Sequence, residues 1–235
     1  MKKAYLTIDD APSKDFKKKV DFLISKKIPA IIFCEGQYIN GREKELIYAI
    51  EEGFILGNHS YSHPHFSELS LKECTKEIKL TDGLIKNVYK KSKIKRPIKI
   101  FRFPYGDKGT GNKKGFLFRF FSNKSKKIQS YLKKEGYKQP SFESITYQWY
   151  KKYKLDKELD TFWTFDTKEY QIGKEKYNQN TIQKIVKRID DGKKLNSDSN
   201  EIILIHDHEN TTKYFNLLIN TFLEKDIEFI KPKLN

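Results

Sequence analysis

The chain has 235 residues and a formal charge of +16, carried almost entirely by lysine. That length suffices for one sizeable core, and α/β barrels of this size are often single domains. No stretch of about 18 or more apolar residues exists, which excludes a membrane-spanning helix, and arginine, on which sequence-specific base readout leans, is scarce, so nucleic acid is not an expected partner.

Apolar runs alternate with segments of helical period along the chain. Ala4 to Ile8 reads as a strand that ends on Asp9 and Asp10. The start has a charged beginning, but Asp9, Asp10 and Asp15 interrupt any apolar leader, so the expectation is a cytosolic chain or the mature form of an exported one. A helix follows from about Ser13, with Phe16, Val20, Leu23 and Ile24 on one face. Ala30 to Cys34 is the second strand, and a helix through Leu46, Ile47 and Ile50 stops near Gly53. Phe54 to Gly57 is the third strand. Ser70-Leu71-Lys72-Glu73 is a capping box opening a helix that carries Ile78, Leu84, Ile85 and Val88. Ile98 to Phe103 is the fourth strand. Gly106 to Asp160 fits the alternation least and holds one clear helix, roughly Lys126 to Glu135. It reads as an insertion over the mouth of the site, where substrate choice is commonly set. Phe162 to Phe165 and Glu201 to Ile205 are later strands, separated by a helix with Ile182, Ile185, Val186 and Ile189. A last helix, Phe215 to Phe222, precedes Ile227 to Ile230. Repeated β–α units imply a parallel sheet, open or closed into a barrel, in one domain over residues 1–235.

All five histidines lie in two short stretches, His59, His63 and His65 in one and His206 and His208 in the other. Histidine is the usual neutral metal ligand and proton carrier near neutral pH. His59 and His63 are four apart, a spacing at which both rings reach one ion. With Asp10 they make three protein ligands and leave room for water, the open form of a catalytic zinc site. Of Asp9 and Asp10, one carboxylate can bind metal while the other takes a proton. His65 reads as a rim residue. The candidate residues fall at the carboxyl ends of strands, where parallel α/β folds put their sites. Gly106, Gly109, Gly111 and Gly115 lack the Lys-Ser/Thr ending of a phosphate loop. Cys34 and Cys74, without paired spacing, read as buried free thiols.

Five segments occur in order: Thr7-Ile8-Asp9-Asp10-Ala11-Pro12, His59-Ser60-Tyr61-Ser62-His63, Arg102-Phe103-Pro104-Tyr105-Gly106, Trp163-Thr164-Phe165-Asp166-Thr167-Lys168-Glu169-Tyr170 and Ile203-Leu204-Ile205-His206-Asp207. Together they resemble the motifs of the NodB-homology polysaccharide deacetylases, carbohydrate esterase family 4. The resemblance implies a distorted (β/α) barrel of about seven parallel strands. It implies a metal-dependent deacetylase of N-acetylated amino sugars in a glycan, peptidoglycan or chitin-like, with Zn²⁺ as the first expectation and Co²⁺ or Ni²⁺ as substitutes. Asp9 would be the base, Arg102 its holder, and Asp10, His59 and His63 the metal ligands. Tyr105 would offer its backbone N–H to the oxyanion, Leu204 would line the acetyl pocket and His206 would be the acid. Trp163 and Tyr170 would contact the sugar. Ala11 replaces the family's usual glycine, Glu169 the aspartate that orients the acid, and Tyr170 a groove tryptophan.

Two other readings remain at this point. One is a hydrolase of O-acetyl xylan or of a small amide or imide on the same scaffold. The other is a non-catalytic glycan- or polyanion-binding protein, suggested by the lysine-rich charge. The aromatics of the 106–160 stretch, among them Phe116, Phe118, Phe120, Phe121, Tyr147, Trp149 and Tyr150, are expected mainly to pack within it, with sugar stacking as the lesser role.

Overall fold

The computed structural model describes residues 2–110, 122–177, 180–191, 195 and 197–234. Its first strand, β1 (Lys2–Ala11), is buried on both faces through most of its length, as a central parallel strand must be. It lies beside β2 (Ala30–Cys34), which in turn lies beside β3 (Ile55–Asn58). On its other side is β5 (Glu201–His206), followed by β4 (Phe165–Asp166), and β6 (Ile227–Phe229) pairs with the start of β1. All these pairs are parallel. Phe101 bridges Asn58 on one side and Asp160 on the other. The chain runs on from Asp160 into β4, so the two edges of the sheet meet and close a distorted barrel. The predicted fourth strand is thus a stave held by isolated bridges rather than a full ladder. Pro97 and Pro104 bracket it and bring no amide hydrogen to extend the pairing.

Strand alternation divides the side chains into two sets. Leu6 and Ile8, with Ile32, Ile203 and Ile205, face the helix layer. That layer holds α1 (Phe16–Ser25), α3 (Glu43–Glu51), α4 (Leu71–Ser92) and α8 (Thr212–Glu224), whose Val20, Leu46, Ile85 and Leu218 pack against the strands. Fully burying one such side chain contributes about 1.5–3 kcal/mol. The predicted capping box is present, with Ser70 and Glu73 bonding each other's backbone at the start of α4. Tyr5, Thr7 and Asp9 point into the barrel, in register with Ile202, Leu204 and His206. The interior is therefore layered, apolar at the amino-terminal end of the strands and ionisable at the carboxyl-terminal end. Gly57 is required at mid-height, because a Cβ there would lie 2.6 Å from the Phe33 ring.

Within the 106–160 stretch, described residues between 142 and 155 pack at the end of the barrel opposite the strands' carboxyl termini. Ile145, Tyr150 and Leu155 pack with Tyr5 and Ile202, and Tyr147 and Trp149 join them, at the amino-terminal end of the barrel. Tyr147 Oη donates to Glu201 at the first residue of β5. Asn200 donates its amide to the Ser144 carbonyl beside it. The long apolar requirement at that end, where Tyr5 would otherwise meet water, is what these aromatics fill. The helix expected near 126–135 is present as α5 (Asn123–Lys134), packed through Ile128 and Leu132 on Phe101 and Phe103. Phe116, Phe118, Phe120 and Phe121 lie outside the described residues. Cys34 and Cys74 are buried free thiols.

Candidate active site

At the carboxyl end of β1 the pairing miscounts. Ile8 pairs with Ile32 and Ala11 with Cys34, so β1 carries one residue more than its partner. Asp10 sits at this bulge with φ of +63°, a conformation that aspartate tolerates better than most residues. In a regular strand adjacent side chains face opposite sides; the bulge turns Asp9 and Asp10 into the same cavity. Ala11 is not left-handed, so the strand needs no glycine there.

The second segment enters from β3. Asn58 holds the turn by accepting from the Ser60 amide and donating to the Ile78 carbonyl and Tyr137 Oη. Glu77 of α4 accepts from the amides of Tyr61 and Ser62 and from the Ser62 hydroxyl. The loop is stapled from behind, and Ser60 and His63 take positive φ within it. His59 Nδ1 lies 2.9 Å from the Arg102 carbonyl, which leaves Nε2 to face the cavity.

His59 Nε2 and His63 Nε2 lie 3.3 and 3.1 Å from Asp10 Oδ1. That oxygen is buried and has no hydrogen-bond partner among the described residues. Ligand bonds of about 2.0–2.2 Å put neighbouring donor atoms of a tetrahedron roughly 3.3–3.6 Å apart. Asp10, His59 and His63 therefore form a group able to hold a metal ion. Burial pushes the Asp10 carboxyl up, but the hydrogen bond from His208 and the facing imidazoles of His59 and His63 outweigh it and hold it well below the usual range. Burial disfavours charge on His59, yet Asp9 and Asp10 raise its pKa. The spot favours positive charge, and a cation there competes with protons for it.

Two ionisable pairs flank this group. Arg102 Nη1 donates to Asp9 Oδ1 at 2.7 Å and to Thr7 Oγ1 at 2.9 Å, and its Nε donates to the Thr161 carbonyl. Both residues are nearly inaccessible, Asp9 at 3% and Arg102 at 1% exposure. Across the cavity His206 Nδ1 lies 3.1 Å from Glu169 Oε1, and the His206 amide donates to the same oxygen at 2.5 Å. Thr167 Oγ1 donates to the other Glu169 oxygen. Burial would lower the His206 pKa, but the Glu169 charge and hydrogen bond outweigh it and raise it to about 10.

Residues 1–138 match the family described as Polysaccharide deacetylase, well over half of the chain. The chain belongs to the polysaccharide deacetylase family. A peptidoglycan-N-acetylmuramic acid deacetylase of Bacillus subtilis (strain 168) is 34% identical over 95 residues, covering 39% of this chain and 20% of that protein. A chitooligosaccharide deacetylase of Sinorhizobium fredii is 26% identical over 103 residues, covering 43% of this chain and 46% of that protein. The matched region is thus less than half of each of these curated relatives. Among solved structures, a family 4 carbohydrate esterase from Streptomyces lividans in complex with acetate superposes with a TM-score of 0.63 at 21% identity. It covers 96% of this chain and 90% of the esterase, which establishes the shared fold.

The remaining polysaccharide deacetylase motif residues gather round the same cavity. Tyr105 has φ of +57° in a single 3-10 turn, Pro104–Gly106. It is 51% exposed, with its ring stacked on His65 and edge-on to His63. Gly106 beneath it has φ of +60°, and a Cβ there would press on Trp163 at 3.1 Å, so a side chain at this position would be strained. Trp163 itself stacks on Phe162 and lies beside the Arg102 guanidinium. Leu204 lies one layer below His206. Tyr170 meets the His206 ring edge-on at 4.6 Å. Asp166 groups with Glu169 and His206 but spends one oxygen on the Lys168 amide. Glu77, His208 and Asp107 are the contributors that sequence reasoning missed. His208 was visible in its histidine cluster; Glu77 and Asp107 act on backbone amides, and no local pattern announces that.

Proposed function

We propose that this polysaccharide deacetylase is a metal-dependent N-deacetylase that hydrolyses the acetamido groups of amino sugars in a glycan, peptidoglycan or chitin-like. The supporting observation is the opposition of the Asp9–Arg102 and His206–Glu169 pairs across the Asp10, His59 and His63 group. Those three residues would hold the cation, with Zn²⁺ the best match to a one-carboxylate, two-imidazole set and Co²⁺ or Ni²⁺ able to substitute. When bound, it supplies Lewis acidity toward the attacking water and the acyl oxygen.

Asp9, fixed by Arg102, accepts a proton from water as the oxygen attacks the acetyl carbonyl. The left-handed turn at Tyr105 supports a role for its backbone N–H in stabilising the tetrahedral oxyanion. Leu204 offers an apolar floor for the acetyl methyl. His206, held protonated by Glu169, donates to the nitrogen as the C–N bond breaks, because an amine leaves poorly without a proton. Acetate and the free amino sugar are the products. The relatives' names, which concern N-acetylmuramic acid and chitooligosaccharide, favour N-acetyl sugars over xylan esters.

The test is mass spectrometry of N-acetylglucosamine oligomers, peptidoglycan fragments and acetylxylan incubated with the protein and Zn²⁺, Co²⁺ or Ni²⁺. Loss of acetyl from the N-acetylated arms supports the reading. Release from acetylxylan alone, or from no substrate, overturns it.

A further inference from the structure

Asp10 has two carboxylate oxygens, and only Oδ1 faces His59 and His63. The other, Oδ2, lies 2.6 Å from His208 Nε2. We propose that His208 is a positioning residue for the cation site: it donates Nε2–H to Asp10 Oδ2 and so presents Oδ1 as a single directed ligand atom. The proposal rests on the metal-binding reading of Asp10, His59 and His63.

The placement of His208 is built rather than incidental. The Asp207 amide donates to the Asp9 carbonyl at 2.8 Å, which carries the β1–β5 pairing one residue beyond the strand. The Asp207 carboxylate receives the Ser13 amide and hydroxyl and the Lys19 ammonium, at 2.7, 2.8 and 2.6 Å. Lys19 also donates to the His208 carbonyl at 3.0 Å, and Thr211 Oγ1 donates to it at 2.8 Å. A buried ion pair therefore clamps the backbone on which the imidazole stands, and among the described residues the side chain's polar partner is Asp10. Each of the two adjacent carboxylates then has its own donor, Arg102 for Asp9 and His208 for Asp10.

A carboxylate with both oxygens free can bind a cation through one or two atoms and can swing between them. A donor on the outer oxygen removes that choice and keeps coordination low, leaving a position open for water and substrate. Partners of this kind typically change metal affinity about 10- to 100-fold when removed. The required N–H is present in the Nε2–H tautomer of the neutral ring and in the charged ring alike.

The experiment compares wild type, His208→Ala, His208→Gln and His59→Ala by chelator competition for Zn²⁺, alongside thermal unfolding of the metal-free proteins. His208→Ala is expected to weaken Zn²⁺ binding about 10- to 100-fold while its metal-free Tm stays close to wild type. His208→Gln, whose amide can donate at the same reach, should recover most of the affinity. With Co²⁺ bound, the visible band of His208→Ala should lose intensity as coordination number rises. If His208→Ala folds and leaves affinity unchanged while His59→Ala abolishes it, His208 has no positioning role and the deacetylase reading stands. If wild type binds no Zn²⁺, Co²⁺ or Ni²⁺, both readings fall.

Discussion

Glu169 is fully buried, and one of its oxygens takes both the ring and the amide of His206. The longer glutamate in place of the family's aspartate therefore still reaches the imidazole, because residues 169–171 form a 3-10 turn that feeds the side chain under the end of β5. The sign of its effect follows directly. Against burial, Glu169 first and then Asp10 and Asp166 raise the His206 pKa from 6.5 to about 10, so the acid form survives through neutral pH and is lost only as pH climbs through about 10. The same pair stabilises the fold fully below about pH 6.5 while Glu169 stays ionised, and loses that contribution over the rise to 10. Glu169→Gln keeps the size and removes the charge. Its kcat–pH profile for an N-acetylated oligomer should show the alkaline limb moved acidward by about one to two pH units. An unmoved limb would mean that His206 is not the titrating acid.

The His59–His63 loop is stapled to α4 by Glu77. Three hydrogen bonds end on that carboxylate, and two positive-φ residues, Ser60 and His63, need an external hold to persist. Glu77→Ala should cost about 1–2 kcal/mol of stability and weaken Zn²⁺ binding roughly tenfold, read by thermal unfolding and chelator competition on one preparation. Equal metal affinity in the variant would show that the loop holds its own shape. Most elements were legible in the sequence for simple reasons. Ser70 and Glu73 announce α4, and apolar runs such as Ala30–Cys34 have no other use than burial between layers. Asp10, His59, His63, Arg102 and His206 could be picked out because few other residue types serve those chemistries. What the sequence did not disclose depends on count and direction. The extra residue at Asp10 shows only once β1 is set against β2, and the destination of Tyr147–Tyr150 depends on which end of the barrel lacks a filling.

The barrel has two unlike ends. Tyr150, 2% exposed, packs with Tyr5 and Ile202 at the amino-terminal end, where Tyr5 precedes Asp9 by four residues on β1. Tyr150→Ala should destabilise by about 3–5 kcal/mol, a fall in Tm of roughly 10 °C, while KM for short and long oligomers stays equal to wild type. A selective rise in KM for long oligomers would instead put this segment in contact with sugar. The closed lower end also dictates traffic. Among the described residues the interior is a blind well, so whatever goes in must come out by the same door. On the proposed chemistry the acetyl group is drawn deepest, toward Leu204, while the sugar lies above it across the rim. The order of departure is then set by depth, glycan first and acetate last. Acetate lingering at the bottom should compete with the next sugar, visible as competitive product inhibition, and noncompetitive inhibition would show a second way out.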